Sequence, residues 1–182
     1  MSFKFLPIDR KTLKFQLQLC LEYHPSGKKP SQLKKGFEAK KKWMEEVFEE
    51  LEPCGFVLLD NKKPCGMIEF LPQEMAKKCG YIVGEERKNT LTVTCVEVSK
   101  AYTNEKNYKK GLMFEGEKRA EIKKLLVRKC IEYLRGEKKY ERIEVGAFKG
   151  NGDWNPAWLF EKLGFRKIED RGRLQIMELR IE

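Results

Sequence analysis

The sequence predicts one α/β domain that spans residues 1–182. The chain is long enough for one sizeable core, with 41% hydrophobic and 11% aromatic residues among its 182. Segments that alternate like β-strands lie between segments with the 3.6-residue period of helices. No repeat, linker or low-complexity tract divides the chain, so a second domain is not expected.

The N-terminal half begins with a predicted strand, FKFLPI. The next segment, KTLKFQLQLCLEY (11–23), fits both strand alternation and one helical face, and its local pattern leaves both structures open. HPSGKKPS is typical of a loop. A helix is predicted with Ser31 as its N-cap and Pro53 as its stop. CGFVLLD, NKKP and CGMIEFLP (54–72) then predict a strand, a turn and a strand.

In the second half, a polar connector with Gly80 and Gly84 precedes LTVTCVEV (91–98), whose β-branched residues make it the clearest strand. After a long charged loop, the apolar positions predict a helix that Gly136 ends. The remaining predictions are a strand RIEVGAF, a short helix NPAWLFEKLG capped by Asn155, and a closing hairpin.

The chain carries a formal net charge of +10, which suits an anionic partner such as nucleic acid, a membrane surface or a nucleotide cofactor. Its basic residues are spread in short runs, so a solvated face without a charged partner fits equally well. The clustered aromatic and glycine motif of common RNA-binding modules is missing, and nucleic acid is therefore not the expected partner.

The six cysteines have no CxxC spacing, and we predict small core thiols without a metal site. The sequence shows no N-terminal signal pattern and no apolar run long enough to cross a bilayer. These observations predict a reduced cytoplasmic protein without a membrane partner.

The order of elements resembles that of the GNAT N-acetyltransferase superfamily. The most specific stretch is WNPAWLFEKLGFRKIED (154–170), which is similar to a late family motif with a short helix and Glu-Lys-x-Gly-Phe. CGFVLLDNKKPCGMIEFLP resembles the family's second and third strands, and LTVTCVEV resembles its fourth. The resemblance implies a single domain with a mixed, mostly antiparallel, twisted sheet and helices on both faces.

The resemblance also implies an activity: transfer of an acetyl group from acetyl-CoA to a primary amine, by direct attack in a ternary complex. The fourth and fifth strands would part near Val98, and main-chain groups at Val96 and Val98 would hold the pantetheine and polarise the thioester. Fully paired strands, or a side chain that plugs the gap, would exclude this activity. The amine acceptor is not identified, and the oligomeric state stays open, with a homodimer as one alternative.

Two departures from the family pattern matter. The family's loop reads Arg/Gln-x-x-Gly-x-Gly/Ala before its helix, whereas this chain has EKRAEI (117–122), where only Ala120 matches a small position. In one interpretation the loop 99–121 is rebuilt, and basic residues hold the pyrophosphate. In the other, acidic residues repel it and CoA binds weakly or not at all. The basic residues are Lys118, Arg119, Lys123 and Lys124, and the acidic ones are Glu115, Glu117 and Glu121.

The second departure is Phe160, which stands where the family often has a tyrosine that protonates the CoA thiolate. Phe cannot donate a proton, but a thiol with a pKa near 8.5 leaves readily and water could protonate it. Tyr102 and Tyr108 are alternative donors, and Phe160 also fits a plain core position. Asn155 lies where the family's CoA tail often passes.

Glu97 is the candidate general base, because a carboxylate inside the apolar segment CVEV needs a partner or a chemical role. Strand alternation places it on the face opposite Val96 and Val98. Glu69 and Glu144 hold similar strand positions. The degenerate loop and Phe160 support an alternative function, a non-catalytic acyl-CoA-binding or protein-interaction member of the same fold.

Overall fold

The computed structural model describes residues 3–22, 30–102, 117–150 and 155–181. Within these ranges seven strands form one sheet, in the order β1-β2-β3-β4-β5-β7-β6. The strands are β1 (Phe3–Pro7), β2 (Gly55–Asp60), β3 (Lys63–Pro72), β4 (Thr90–Val98), β5 (Arg142–Phe148), β6 (Arg166–Arg171) and β7 (Leu174–Arg180). The helices are α1 (Leu13–Glu22), α2 (Pro30–Glu50), α3 (Gln73–Lys78), α4 (Glu117–Gly136) and α5 (Ala157–Glu161).

The sheet is mostly antiparallel, as the resemblance implied. Neighbouring strands run antiparallel throughout, except that β4 and β5 run parallel. A parallel pair needs a long crossover, and α4 lies within the connection between these two strands. The carboxyl ends of β4 and β5 therefore point to the same edge of the sheet.

Helices cover both faces of this sheet. On one face, Ile122 and Leu126 of α4 and Phe160 of α5 join a buried cluster that includes Val96 and Val98. We call this the α4 face. On the other face, α1 and α2 contribute a second cluster with residues such as Leu17 and Met44, and we call this the α1–α2 face. Side chains alternate along a strand, and β2 and β3 accordingly supply both clusters.

Some local predictions need correction. Within the ambiguous segment 11–23, Leu13–Glu22 form α1, because its helical apolar face packs against the sheet. The short helix α3 lies where only a strand end and a polar connector were predicted. Asn155 is not the cap of α5: Pro156 occupies the N-cap position, and no side chain caps this helix.

None of the helices in the described ranges combines the length and the apolar composition needed to cross a bilayer.

Candidate functional site

The strands β4 and β5 separate part of the way along β4. Their parallel pairing ends with Val93 opposite Val145, although β4 continues to Val98. Against β3, Glu69 lies opposite Cys95 and Phe70 lies opposite Val93, so Thr94 is the extra residue of a β-bulge. A bulge bends its strand and ends regular pairing. The predicted gap therefore exists, but it opens at Thr94 rather than near Val98.

The backbone of Val96 and Val98 faces this gap. The N–H of Ser99 donates to the carbonyl of Cys65 (2.9 Å), so these two residues form a hydrogen-bonded pair of the β3–β4 ladder. Pairs in an antiparallel ladder alternate between bonded and non-bonded. Val98 and Val96, at the non-bonded positions opposite Gly66 and Ile68, therefore direct their backbone groups away from β3.

Asn155 spans the gap between the two strands. Its Oδ1 accepts a hydrogen bond from the N–H of Val96 (3.0 Å), and its Nδ2 lies 3.5 Å from the carbonyl oxygen of Thr94. Its own carbonyl accepts from the N–H of Phe148 at the end of β5 (2.8 Å). Asn155 is 2% exposed. This residue thus links β4 to β5 where the strands no longer pair, and it satisfies buried backbone groups that the bulge exposes.

A cleft of about 50 Å³ lies beside Asn155 at the Thr94 end of the gap, on the α1–α2 face, and Val96 and Val98 are not among its lining residues. The lining residues are Tyr81, Ile82, Thr92, Val93, Thr94, Gly146, Phe148, Asn155 and Leu174. The volume exceeds what one water needs, and it suits a small chemical group rather than a whole cofactor.

Two polar residues of this cleft were not singled out from the sequence. The hydroxyl of Thr94 is buried and has no hydrogen-bond partner among the described residues. Burial, as the largest cause, and the negative charge of Glu69 raise the pKa of Tyr81 to about 12, so its hydroxyl is neutral at physiological pH. Nothing in the local pattern distinguishes Thr94 from Thr92, because a bulge depends on the partner strand.

Glu97 is paired with Arg119. The Nη2 atom of Arg119 lies 3.2 Å from Oε1 of Glu97, and the two side chains are only 9% and 10% exposed. Val96 and Val98 pack on the α4 face, so Glu97 points to the α1–α2 face. Arg119 starts from the first turn of α4. The ion pair therefore connects α4 to the opposite side of β4, close to the gap.

The basic residues at the start of α4 do not all face solvent. Arg119 and Lys123 are buried, at 8% and 0% exposure, and thus turn inward. Lys118 is exposed, and its ammonium lies 4.6 Å from the centre of the Tyr102 ring. Ala120 is half-buried. Of the loop 99–121, residues 103–116 lie outside the described ranges, and Glu115 and Tyr108 with them.

Glu69 has partners that hold it in place. Its Oε2 accepts from Nζ of Lys40 (3.0 Å), and its Oε1 accepts from Nε2 of Gln16. The Lys40 ammonium also lies 4.3 Å from the centre of the Trp43 ring. The neighbouring Glu69 carboxylate keeps the pKa of Lys40 above its usual value, although burial acts in the opposite direction. Glu69 is therefore paired with Lys40 as Glu97 is with Arg119, so an ion partner does not distinguish these two carboxylates as candidate bases.

Glu144 also lies on the α1–α2 face. Nε2 of Gln73 donates to its Oε2 (3.0 Å), and the hydroxyl of Thr92 lies 3.3 Å from its Oε1. Burial is the largest cause that raises the pKa of Glu144, and these hydrogen bonds oppose the rise. Its position lies in the paired part of β5, opposite Thr92, before the strands separate.

Phe160 and Tyr102, the described aromatic candidates from the sequence, both lie away from the cleft. Phe160 is fully buried in the core and packs edge-on against Phe165, with 5.2 Å between ring centres. The hydroxyl of Tyr102 donates to Oδ2 of Asp60 (2.6 Å). Burial and this hydrogen bond raise the pKa of Tyr102 above its usual value. Tyr81, rather than Tyr102, is the tyrosine that lines the cleft.

Within the ranges that the structure describes, no group of three or more His, Cys, Asp or Glu residues could hold a metal ion.

The sequence matches no family model and no curated protein. The fold does match solved structures over nearly the whole chain. An N-acetyltransferase from Staphylococcus aureus Mu50 has a TM-score of 0.61 at 14% identity, with 100% of both chains covered. PaiA N-acetyltransferase from Thermoplasma acidophilum, solved with coenzyme A, has a TM-score of 0.60 at 14% identity, with 99% of both chains covered. The N-acetyltransferase PseH from Campylobacter jejuni, solved with acetyl coenzyme A, has a TM-score of 0.58 at 10% identity and 100% coverage of both.

These similarities confirm the fold that the sequence resemblance implied. The chain has the GNAT fold, in which one mostly antiparallel sheet carries helices on both faces.

Proposed function

We propose that this protein is an acetyl-CoA-dependent N-acetyltransferase that transfers an acetyl group to a primary amine by direct attack in a ternary complex. The observation that carries the proposal is the separation of β4 from β5 at the Thr94 bulge. It leaves the backbone of Val96 and Val98 facing a gap, with the carboxylate of Glu97 on the same strand segment.

The residues at the gap fit a thioester arm. Backbone N–H and C=O groups of an unpaired strand segment suit the amide groups of a pantetheine chain. Asn155 already holds the N–H of Val96, so a ligand at this residue would use its carbonyl group or displace the Asn155 side chain. The N–H of Val98 also faces the gap and lies 3.4 Å from Oε1 of Glu97. We assign the pantetheine to the Val96 and Val98 segment, where its binding displaces the side chain that holds the N–H at each position it uses.

The pyrophosphate is assigned to the first turn of α4. Its backbone N–H groups and the helix dipole favour an anion at this end. Lys118 is exposed there and can approach a phosphate, with Ala120 providing a small side chain. The buried Arg119 can contribute only if it exchanges Glu97 for the phosphate. This assignment follows the first interpretation of the loop, in which basic residues hold the pyrophosphate. The exposed Lys118 and the buried Arg119 would take over the role of the glycine-rich loop found in the family.

The proposed chemistry uses Glu97 as the general base. Its carboxylate takes the proton of the attacking amine, directly or through a water molecule. Acetyl-CoA supplies an activated acyl group: a carbon–nitrogen bond forms, the carbon–sulfur bond breaks, and CoA leaves as a thiolate. Phe160 is buried and cannot protonate this thiolate, so water or the neutral hydroxyl of Tyr81 supplies the proton.

The solved relatives in fold support the choice of cosubstrate. PaiA N-acetyltransferase was solved with coenzyme A and PseH with acetyl coenzyme A. Other proteins with a similar fold are an aminoglycoside 6'-acetyltransferase, a ribosomal-protein-S18-alanine N-acetyltransferase and an N-acetylglutamate synthase, so the fold serves chemically different acceptors. The acceptor of this chain therefore has to be found by experiment.

The test combines calorimetry with a turnover assay. CoA and acetyl-CoA are titrated into the full chain, and thiol release is followed with a panel of primary amines that includes polyamines, amino sugars and peptides. Acetyl-CoA binding with amine-dependent thiol release is the expected result. Binding without turnover across the panel would favour the non-catalytic acyl-CoA-binding alternative, and absence of binding would overturn both. Sedimentation of the same sample distinguishes a monomer from the homodimer alternative.

A further inference from the structure

One oxygen atom of Glu97 contacts two donors that belong to different parts of the proposed site. Its Oε1 lies 3.2 Å from Nη2 of Arg119 and 3.4 Å from the backbone nitrogen of Val98. Arg119 belongs to the first turn of α4, to which the pyrophosphate was assigned, and Val98 belongs to the strand segment assigned to the pantetheine. Two donors that contact Glu97 are therefore groups that the cosubstrate would use.

The contact with Arg119 makes Glu97 a weaker base. A carboxylate that is bound to a guanidinium is stabilised in its charged form, so it takes up a proton less readily. The side chains of Arg119 and Glu97 are only 9% and 10% exposed, and solvent therefore screens their attraction poorly. In this arrangement Glu97 is poorly suited to accept a proton from an amine.

An anion at the first turn of α4 would compete for the same guanidinium. Arginine binds phosphate groups as well as carboxylates, in both cases through pairs of N–H donors. The backbone N–H groups and the dipole of α4 add to the attraction on a phosphate but do not favour Glu97, which lies on the other side of β4. The Arg119 side chain starts from this turn, so it can exchange partners by rotation about its own bonds.

We infer that Arg119 is a positioning residue that controls the general base: it binds Glu97 until the pyrophosphate of acetyl-CoA takes the place of this carboxylate. The inference rests on the proposed function and adds its regulation. A pantetheine that uses the N–H of Val98 displaces the same oxygen atom of Glu97. Both parts of the cosubstrate thus release Glu97, and the base becomes available where the thioester is already bound.

The first test measures binding of inorganic pyrophosphate by calorimetry in the wild type, Glu97→Gln, Arg119→Met and Glu144→Gln. Gln keeps the shape of Glu but lacks the charge that competes for Arg119. We expect Glu97→Gln to bind pyrophosphate at least about 5-fold more tightly than the wild type, the usual size of such a coupling, and Arg119→Met to bind it more weakly. Glu144→Gln, at a buried carboxylate in the paired part of β5, should bind like the wild type. Thermal unfolding verifies that each variant is folded.

The second test separates the pyrophosphate from the acyl arm. S-Acetylpantetheine carries the thioester without the pyrophosphate, which is added as the inorganic salt, with sodium chloride at equal ionic strength as the control. We expect pyrophosphate to raise kcat/KM for S-acetylpantetheine by about 10-fold in the wild type, the effect of one charged hydrogen bond, and to have no such effect in Arg119→Met. Lys118→Met removes an exposed cation of the same turn, so it should need more pyrophosphate to reach the same activation.

The outcomes distinguish this inference from the proposed function. Pyrophosphate that binds equally well to Glu97→Gln and the wild type, or that fails to activate S-acetylpantetheine, would overturn the role of Arg119. If acetyl-CoA is still turned over in that case, the proposed function stands. Absence of S-acetylpantetheine turnover at saturating pyrophosphate counts as a failure of activation. A wild type that releases no thiol from acetyl-CoA with any amine would overturn both.

Discussion

The carboxylate of Glu97 and the guanidinium of Arg119 are bonded to each other, with 3.2 Å between Oε1 and Nη2. The sequence assigns these two residues to different ligands, Glu97 to the amine and Arg119 to the pyrophosphate. Both side chains are about nine-tenths buried, so their interaction is poorly screened by solvent. An anion at the start of α4 therefore competes with Glu97 for Arg119, which would couple the two halves of the proposed site.

Replacement of Glu97 by Gln should remove the general base with little change in shape. We expect kcat to fall by about 10²- to 10⁴-fold, the usual contribution of a positioned base. The measurement is thiol release at saturating acetyl-CoA and amine. Glu144→Gln is the matched control, because Glu144 is a buried strand carboxylate on the same face but lies before the strands separate. Equal losses in the two variants would contradict a special role for Glu97.

Replacement of Arg119 by Met should destabilise the fold. The change leaves the carboxylate of Glu97 buried without this cation, and the free energy of unfolding should fall by about 3 to 5 kcal/mol. The double variant Glu97→Gln/Arg119→Met lacks both the buried carboxylate and its cation. Its loss of unfolding free energy should therefore be smaller than the sum of the losses in the two single variants. Urea unfolding of the four proteins measures this coupling. Strictly additive losses would show that the pair contributes nothing.

Asn155→Ala should weaken the connection between β4 and β5. The buried N–H of Val96 loses its acceptor, which should lower the free energy of unfolding by about 1 to 3 kcal/mol. Hydrogen exchange of the Val96 amide should accelerate more than exchange at paired positions of β4. Gln18→Ala, at an exposed position of α1, serves as the control and should change stability by less than about 0.5 kcal/mol. Unaltered exchange at Val96 would mean that Asn155 does not hold this strand.

Glu144 should give a measurable dependence of stability on pH. Its pKa is raised in the folded state, chiefly by burial, so the folded protein binds more protons than the unfolded chain between the ordinary and the raised pKa. Stability contributed by this group is therefore present at low pH and decreases as the pH rises through the raised pKa. Glu144→Gln removes the cost, because a neutral amide stays uncharged at every pH.

We expect Glu144→Gln to be more stable than the wild type at about pH 7, and the difference to shrink toward about pH 4, where Glu144 is increasingly protonated in both states. Chemical unfolding at a series of pH values checks this, and only the difference between the two proteins is interpreted, since other groups titrate in both. A difference that grows toward low pH would contradict the assigned direction.

Local periodicity was sufficient for most of the fold. LTVTCVEV and RIEVGAF form β4 and β5, and the apolar positions after residue 117 form α4, because side chains on one face of an element repeat at fixed intervals. The segment 11–23 could not be resolved in this way, since its apolar residues satisfy both periods. This segment forms a helix because its apolar helical face packs against the sheet. Asn155 was predicted to cap α5 because an Asn directly before a helical segment is typical of a cap. Its side chain instead binds Val96, which is distant in sequence.

By itself, the sequence determined the order of the elements, the GNAT resemblance and the placement of Glu97 opposite Val96 and Val98, since all three depend on neighbours along the chain. Only the tertiary structure decided that β4 bulges at Thr94, that Asn155 binds Val96 across the gap, and that Arg119 turns inward to Glu97. These features depend on strand register and on contacts between residues distant in sequence. A backbone group becomes available to a ligand only when its partner strand moves away, and no local pattern encodes that separation.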